Sequence, residues 1–181
     1  MVEVPKIGFL SDIRNQDSYE QFPNEEAEKI RKAVKEAPPN IFIDSKGGNE
    51  IKKFDEHIAN ELSNYEFEHS GESGRNPKTK LWRNNGFNHS VDLYNQDKRI
   101  AVEVEKSERK RVSDDFLKFI KGAKTRNNKR DKIIHGCVIV PVNYRGSGNI
   151  FSHAMNQLEF MRSIMFVEDI CVVGYADPRW D

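Results

Sequence analysis

Several familiar class markers are scarce or missing from this sequence. Only two of its 181 residues are cysteines, Cys137 and Cys171. Both sit inside apolar runs and read as buried thiols of a cytosolic protein, although a single bridge between them stays open. Two cysteines give neither a disulfide framework nor a zinc-ligand spacing. No stretch approaches the roughly 18 consecutive apolar residues that span a bilayer. The start, from Met1 to Lys6, has no apolar run after a basic segment, so no signal peptide is expected. A cytoplasmic protein without membrane contact follows as the expectation. Internal repeats and phosphate-binding glycine motifs are also missing.

Net charge is missing too, because 29 basic residues face 29 acidic ones. The balance argues neither for nor against a nucleic-acid partner, but the distribution is uneven. Residues 1–72 carry 16 acidic and 9 basic side chains, whereas residues 106–132 carry 11 basic and 4 acidic. The second stretch can meet a phosphate backbone or form a solvated helix face. A length of 181 residues suits one domain, 1–181, with residues 1–48 as an N-terminal segment or appendage and 49–181 as the core.

What is present centres on Asn88 to Ser107. Val91 and Leu93 alternate with Asp92 and Tyr94; after a polar turn, Ile100, Val102 and Val104 alternate with Ala101, Glu103 and Glu105. Strand side chains alternate between faces, so Glu103 and Glu105 share one. A turn within Gln96 to Arg99 pairs Asn95 with Ile100 and Leu93 with Val102, and sets Asp92 opposite Glu103. Gathered carboxylates repel one another, and a hard divalent cation with oxygen ligands relieves that cost. Acids on the outer face of a hairpin are equally common as solvated groups, and spacing alone does not separate the two readings.

This arrangement, an aspartate after an apolar residue, a turn, then apolar-apolar-Glu-x-Glu, resembles the PD-(D/E)xK nuclease core. Its E-x-E form is similar to the BamHI/BglII-type type II restriction endonucleases, over roughly Phe87 to Val142. The resemblance implies an Mg2+-dependent endodeoxyribonuclease, with Mn2+ able to substitute. It further implies a homodimer cutting double-stranded DNA at a short, roughly palindromic site. Asp92 and Glu103 would hold the metal. Glu105 stands where most relatives have lysine, and Lys106 follows on the opposite face of a regular strand. Such enzymes usually add an acid from a neighbouring helix, and Glu61 is the candidate for that role.

The rest of the chain supplies the frame. Residues 1–24 read as irregular. Asn24 caps a helix to Lys35, and Ile51, Phe54, Ile58, Leu62 and Tyr65 form the stripe of a helix from Asn49 to Tyr65, with Asp55 and Glu61 on its flanks. Residues 70–86 read as a loop ending in a short edge strand, where Arg75, Lys78, Lys80 and Arg83 suit DNA phosphates. Arg109, Lys110 and Arg111 precede a helix capped by Ser113, with Asp114 and Asp115 in its first turn. Residues 133–142 are almost continuously apolar, as expected of a strand covered on both faces. A helix from Ile150 to Arg162 and a strand from Met165 to Gly174 close the chain. The order predicts an α/β (α+β), restriction-endonuclease-like fold with a mixed central β-sheet flanked by helices. Three other readings remain: a repair or structure-specific nuclease of the same core, a non-catalytic nucleic-acid-binding protein, and a protein-interaction module.

Overall fold

A computed structural model describes residues 1–14, 18–43, 50–71, 75–84, 87–106, 109–124, 131–145 and 148–180; at 43, 50, 51, 83, 84, 87, 88, 109 and 110 it describes the backbone alone. The elements run β1 (Lys6–Phe9), α1 (Ser11–Arg14), α2 (Asn24–Lys35), α3 (Asn40–Ile43), α4 (Glu50–Ser63), β2 (Phe67–His69), β3 (Lys80–Asn84), β4 (Phe87–Ser90), β5 (Leu93–Asn95), β6 (Ile100–Val104), α5 (Arg109–Lys124), β7 (His135–Pro141), α6 (Ile150–Met161) and β8 (Asp169–Tyr175). Six strands form one sheet in the order β1-β8-β7-β6-β5-β2, while β3 and β4 pair separately. β6, β7 and β8 are parallel, and the outer pairings are antiparallel. The mixed sheet flanked by helices is the fold class the sequence predicts.

Parallel neighbours need long crossovers, and here α5 and α6 supply them. Both pack on one face, where Val112, Phe116, Phe119, Ala154 and Leu158 join Ala101, Val138, Val140 and Val172 in a buried core. The opposite face carries α2 and α4, with Ile30, Phe54, Ile58 and Leu62 against Val102, Val104, Ile139 and Val173. All seven residues of β7 are buried, which accounts for its unbroken apolar run. Gly136 of β7 matters to this arrangement, because a Cβ there would strike the ring of Phe119. Its absence lets α5 lie close on the sheet. No helix among the described residues is long and apolar enough to cross a membrane.

Four local expectations change. Residues 6–9 are not irregular; they form the edge strand β1, which takes its hydrogen bonds from β8 at the other end of the chain. A four-residue strand is too short to announce itself by periodicity. α2 begins at Asn24, but Pro23 occupies the cap position and no side-chain cap bond forms. α5 starts at Arg109, so Ser113 lies inside it and its Oγ donates to Gln157 Oε1 of α6 at 3.1 Å. Finally, the edge of the main sheet is β2, while residues 80–84 pair with β4 in a hairpin of their own.

Candidate active site

The β5–β6 hairpin has the register read from the sequence: Leu93 faces Val102, Tyr94 faces Ala101 and Asn95 faces Ile100. Asn95 also shapes the turn, with its Oδ1 accepting from Lys98 N at 2.8 Å, and Arg99 takes the left-handed conformation at φ 54°. Asp92 sits one residue ahead of β5, where its Oδ2 accepts from Val104 N at 2.9 Å. That bond fixes the aspartate beside the C-terminal end of β6. Glu103 and Glu105, two residues apart, are both buried, at 2% and 4% exposure.

Glu103 faces the α5 layer. Lys118 Nζ donates to its Oε2 at 2.7 Å and to Asp115 Oδ1 at 3.1 Å. Glu103 Oε1 is buried and has no hydrogen-bond partner among the described residues. Burial, with Asp92 and Asp115 nearby, pushes the Glu103 carboxyl well above the usual range, and Lys118 offsets only part of this. Burial likewise raises Asp115 to about 6, with Asp92 and Glu105 adding to the effect against Lys118. Burial lowers the pKa of Lys118, but Glu103, Asp115 and Asp92 outweigh it and hold the ammonium above its ordinary value.

The other face contributes from α4. Lys106 Nζ donates to Asp55 Oδ2, and Asp55 Oδ1 is buried without a partner among the described residues. Burial raises Asp55 to about 6, opposed by Lys106 and helped by Asp92 and Glu105. Lys106 therefore points across the sheet from Lys118, as expected of a regular strand. Glu105 accepts from Lys106 N at 2.9 Å through Oε1, and its Oε2 lies 3.3 Å from Arg111 Nε. The field of Asp92 and Glu105 reaches both Asp55 and Asp115. Five carboxylates from both faces thus share one end of the sheet with Lys106, Lys118 and Arg111.

Asp92, Glu103, Glu105 and Lys106 are brought together here. Glu61 stands six residues beyond Asp55 on α4, and no described contact joins it to these carboxylates. Asp55 is the α4 acid that reaches them. Of the basic residues expected to meet DNA, Arg111 adjoins the cluster, Arg75 is exposed, Lys80 is half-buried and Lys78 is paired with Glu68 at 2.7 Å. The side chains of Arg83, Arg109 and Lys110 lie outside the described residues. Sequence reasoning overlooks Asp115 and Lys118 as site residues. The available signal was helical spacing, since Val112, Asp115, Phe116 and Phe119 share one stripe.

Among the described residues no three acid, histidine or cysteine side chains converge as a ready-made cation cage. Magnesium does not require one. It is commonly held by one or two carboxylates, with water and phosphate oxygens completing its shell. The unpartnered oxygen of Glu103 beside the charge of Asp92 suits that mode of binding.

The mixed sheet with its flanking helices has a solved counterpart in fold. The crystal structure of restriction endonuclease BglII complexed with a DNA 16-mer matches this fold with a TM-score of 0.59 at 14% identity, over 93% of this chain and 77% of that one. The class is therefore restriction-endonuclease-like in fold. More particularly, the chain belongs to the family described as "Putative halobacteria restriction endonuclease", which matches residues 2–175. No curated protein matches it.

Proposed function

We propose that this protein is a metal-dependent type II restriction endonuclease that hydrolyses phosphodiester bonds of double-stranded DNA at a short palindromic site. The observation that carries the reading is half-buried Asp92 beside fully buried Glu103 at the end of the sheet, with one Glu103 oxygen left without a partner among the described residues. A buried polar atom without a partner is costly, and a bound cation is a direct way to satisfy it. Asp92 and Glu103 would hold Mg2+, or Mn2+ in its place. The ion would supply Lewis-acid polarisation of the scissile phosphoryl group and a lowered pKa for bound water.

The chain's own groups do the rest. The Val104 amide holds Asp92 in place. Glu105 orients or deprotonates the attacking water, in the position most relatives give to lysine. Asp55 keeps the Lys106 ammonium on the α4 side, so Glu105 is favoured as the base. Asp55, and not Glu61, supplies the acid from the neighbouring helix. Arg111, and Arg75 and Lys80 around the β3–β4 hairpin, are candidates to meet the phosphate backbone. A homodimer would match the two-fold symmetry of its site. Leu117 of α5 and Phe160 of α6 are exposed, apolar side chains that a second copy could cover.

The test is magnesium-dependent cleavage of a complex DNA, such as a phage genome, beside the Asp92→Ala/Glu103→Ala double variant. Discrete fragments that vanish in the variant are expected. A smear lost in the variant would favour a nonspecific or structure-specific nuclease. Intact DNA with both magnesium and manganese would overturn the reading.

A further inference from the structure

Resting on the reading that Asp92 and Glu103 hold a divalent cation, we propose that Lys118 is a built-in placeholder for that ion, occupying Glu103 in the metal-free protein and giving way when metal binds. A carboxylate as buried as Glu103 needs a neutralising partner. Lys106 cannot provide one, because Asp55 engages it on the other face. Lys118 reaches Glu103 Oε2 instead, from a side chain only 15% exposed. Its seat is set by Phe116 and Phe119 packing on the sheet, with Gly136 allowing the close approach.

The geometry also provides for release. Lys118 makes a second bond to Asp115, three residues back on its own helix. It lines a cavity of about 430 Å³ between α5 and the β3–β4 hairpin, together with Trp82, Asp114 and Leu117. An ammonium is a compact point charge on a flexible stem, so it can leave Glu103 while keeping Asp115. A divalent ion satisfying Oε1 sits on the same carboxylate as the ammonium at Oε2, and repulsion between the two like charges drives Lys118 off. The metal-free site is therefore self-paired, and its cation affinity is lower than its carboxylates alone would give. Lys118 is a positioning residue in this scheme.

The test is calorimetric titration of Mn2+ into the full chain without DNA, comparing wild type with Lys118→Met/Asp115→Asn. That pair of changes removes one cation and one anion, so the net charge near the site is unaltered. Loss of one charge-assisted hydrogen bond, about 1.5–3 kcal/mol, corresponds to Mn2+ binding about tenfold tighter or more in the variant. Equal or weaker binding, or none in either protein, overturns the proposal. A wild-type structure with Mn2+ bound gives a check that needs no variant. Lys118 Nζ should have left Glu103 Oε2, and an intact pair beside bound metal overturns the proposal. Cleavage of phage DNA by wild type judges the nuclease reading separately. Cleavage without the affinity gain removes only the placeholder, and the gain without cleavage removes only the nuclease.

Discussion

Two buried acids at opposite ends of the same parallel strands are treated in opposite ways. Asp169 opens β8, and both its oxygens are satisfied: Oδ1 accepts from Ser11 N and Ile170 N, each at 2.8 Å, and Oδ2 from Ser11 Oγ at 2.8 Å and Phe22 N at 2.9 Å. It ties the N-terminal segment to the sheet. Glu103, near the end of β6, has Lys118 on one oxygen and, among the described residues, no partner on the other. Both residues are almost fully buried, at 1% and 2% exposure. Burial by itself is thus no sign of function. What separates them is satisfaction: the structural acid has a complete set of donors, and the candidate metal holder has been left short.

The sharpest way to break that contrast is to neutralise each acid. Glu103→Gln should cut DNA cleavage by about a thousandfold or more while leaving the unfolding midpoint near the wild-type value. Asp169→Ala should do the reverse. Losing four hydrogen bonds to a buried carboxylate should cost about 3 kcal/mol or more, with activity per folded molecule retained. Denaturant titration and single-turnover cleavage measure the two effects, and if both variants lose activity and stability alike, the distinction fails.

A smaller effect tests how the site is seated. Gly136→Ala places a Cβ against Phe119, and overpacking of this kind costs about 1–3 kcal/mol. Because the same contact sets the height of α5, cleavage should fall with stability, whereas overpacking near Asp169 should lower stability alone.

Stability against pH sharpens the comparison further. Asp55 and Asp115 are raised from 3.8 to about 6 by burial. Between about pH 4 and 6 the unfolded chain releases these protons first, so the native state holds more of them. Stability contributed by these groups is then present at low pH and lost as pH rises through that window. The Asp55→Asn/Asp115→Asn variant should lack this fall in chemical denaturation, and an unchanged profile would contradict the burial argument. The smallest effect belongs to Arg111→Gln. Its side chain is 63% exposed beside Glu105, so folding stability should move by less than about 0.5 kcal/mol.

Much of the site was legible before folding was considered. Alternation in two short strands set the hairpin register, and with it the approach of Asp92 to Glu103, because side-chain period and turn length leave little freedom. The apolar stripe from Phe54 to Leu62 marked α4. It placed both Asp55 and Glu61 on the flanks of that stripe, and nothing local chose between them; the choice came from where Lys106 ends up. A helix that begins at Ser113 makes Asp115 a first-turn acid. With the start at Arg109, the same residue falls on the buried stripe and meets β6.

The sequence by itself determined the local patterns: which residues alternate, which helices are amphipathic, and that β7 is buried on both faces. Those depend on side-chain periodicity and burial, which neighbours along the chain express. Only the tertiary structure decided that β1 closes the sheet against β8, that Asp169 is fully satisfied while Glu103 is not, and that Lys118 is the ammonium paired with Glu103. Each of those depends on contacts between residues far apart in sequence, and on how closely one helix can approach one sheet.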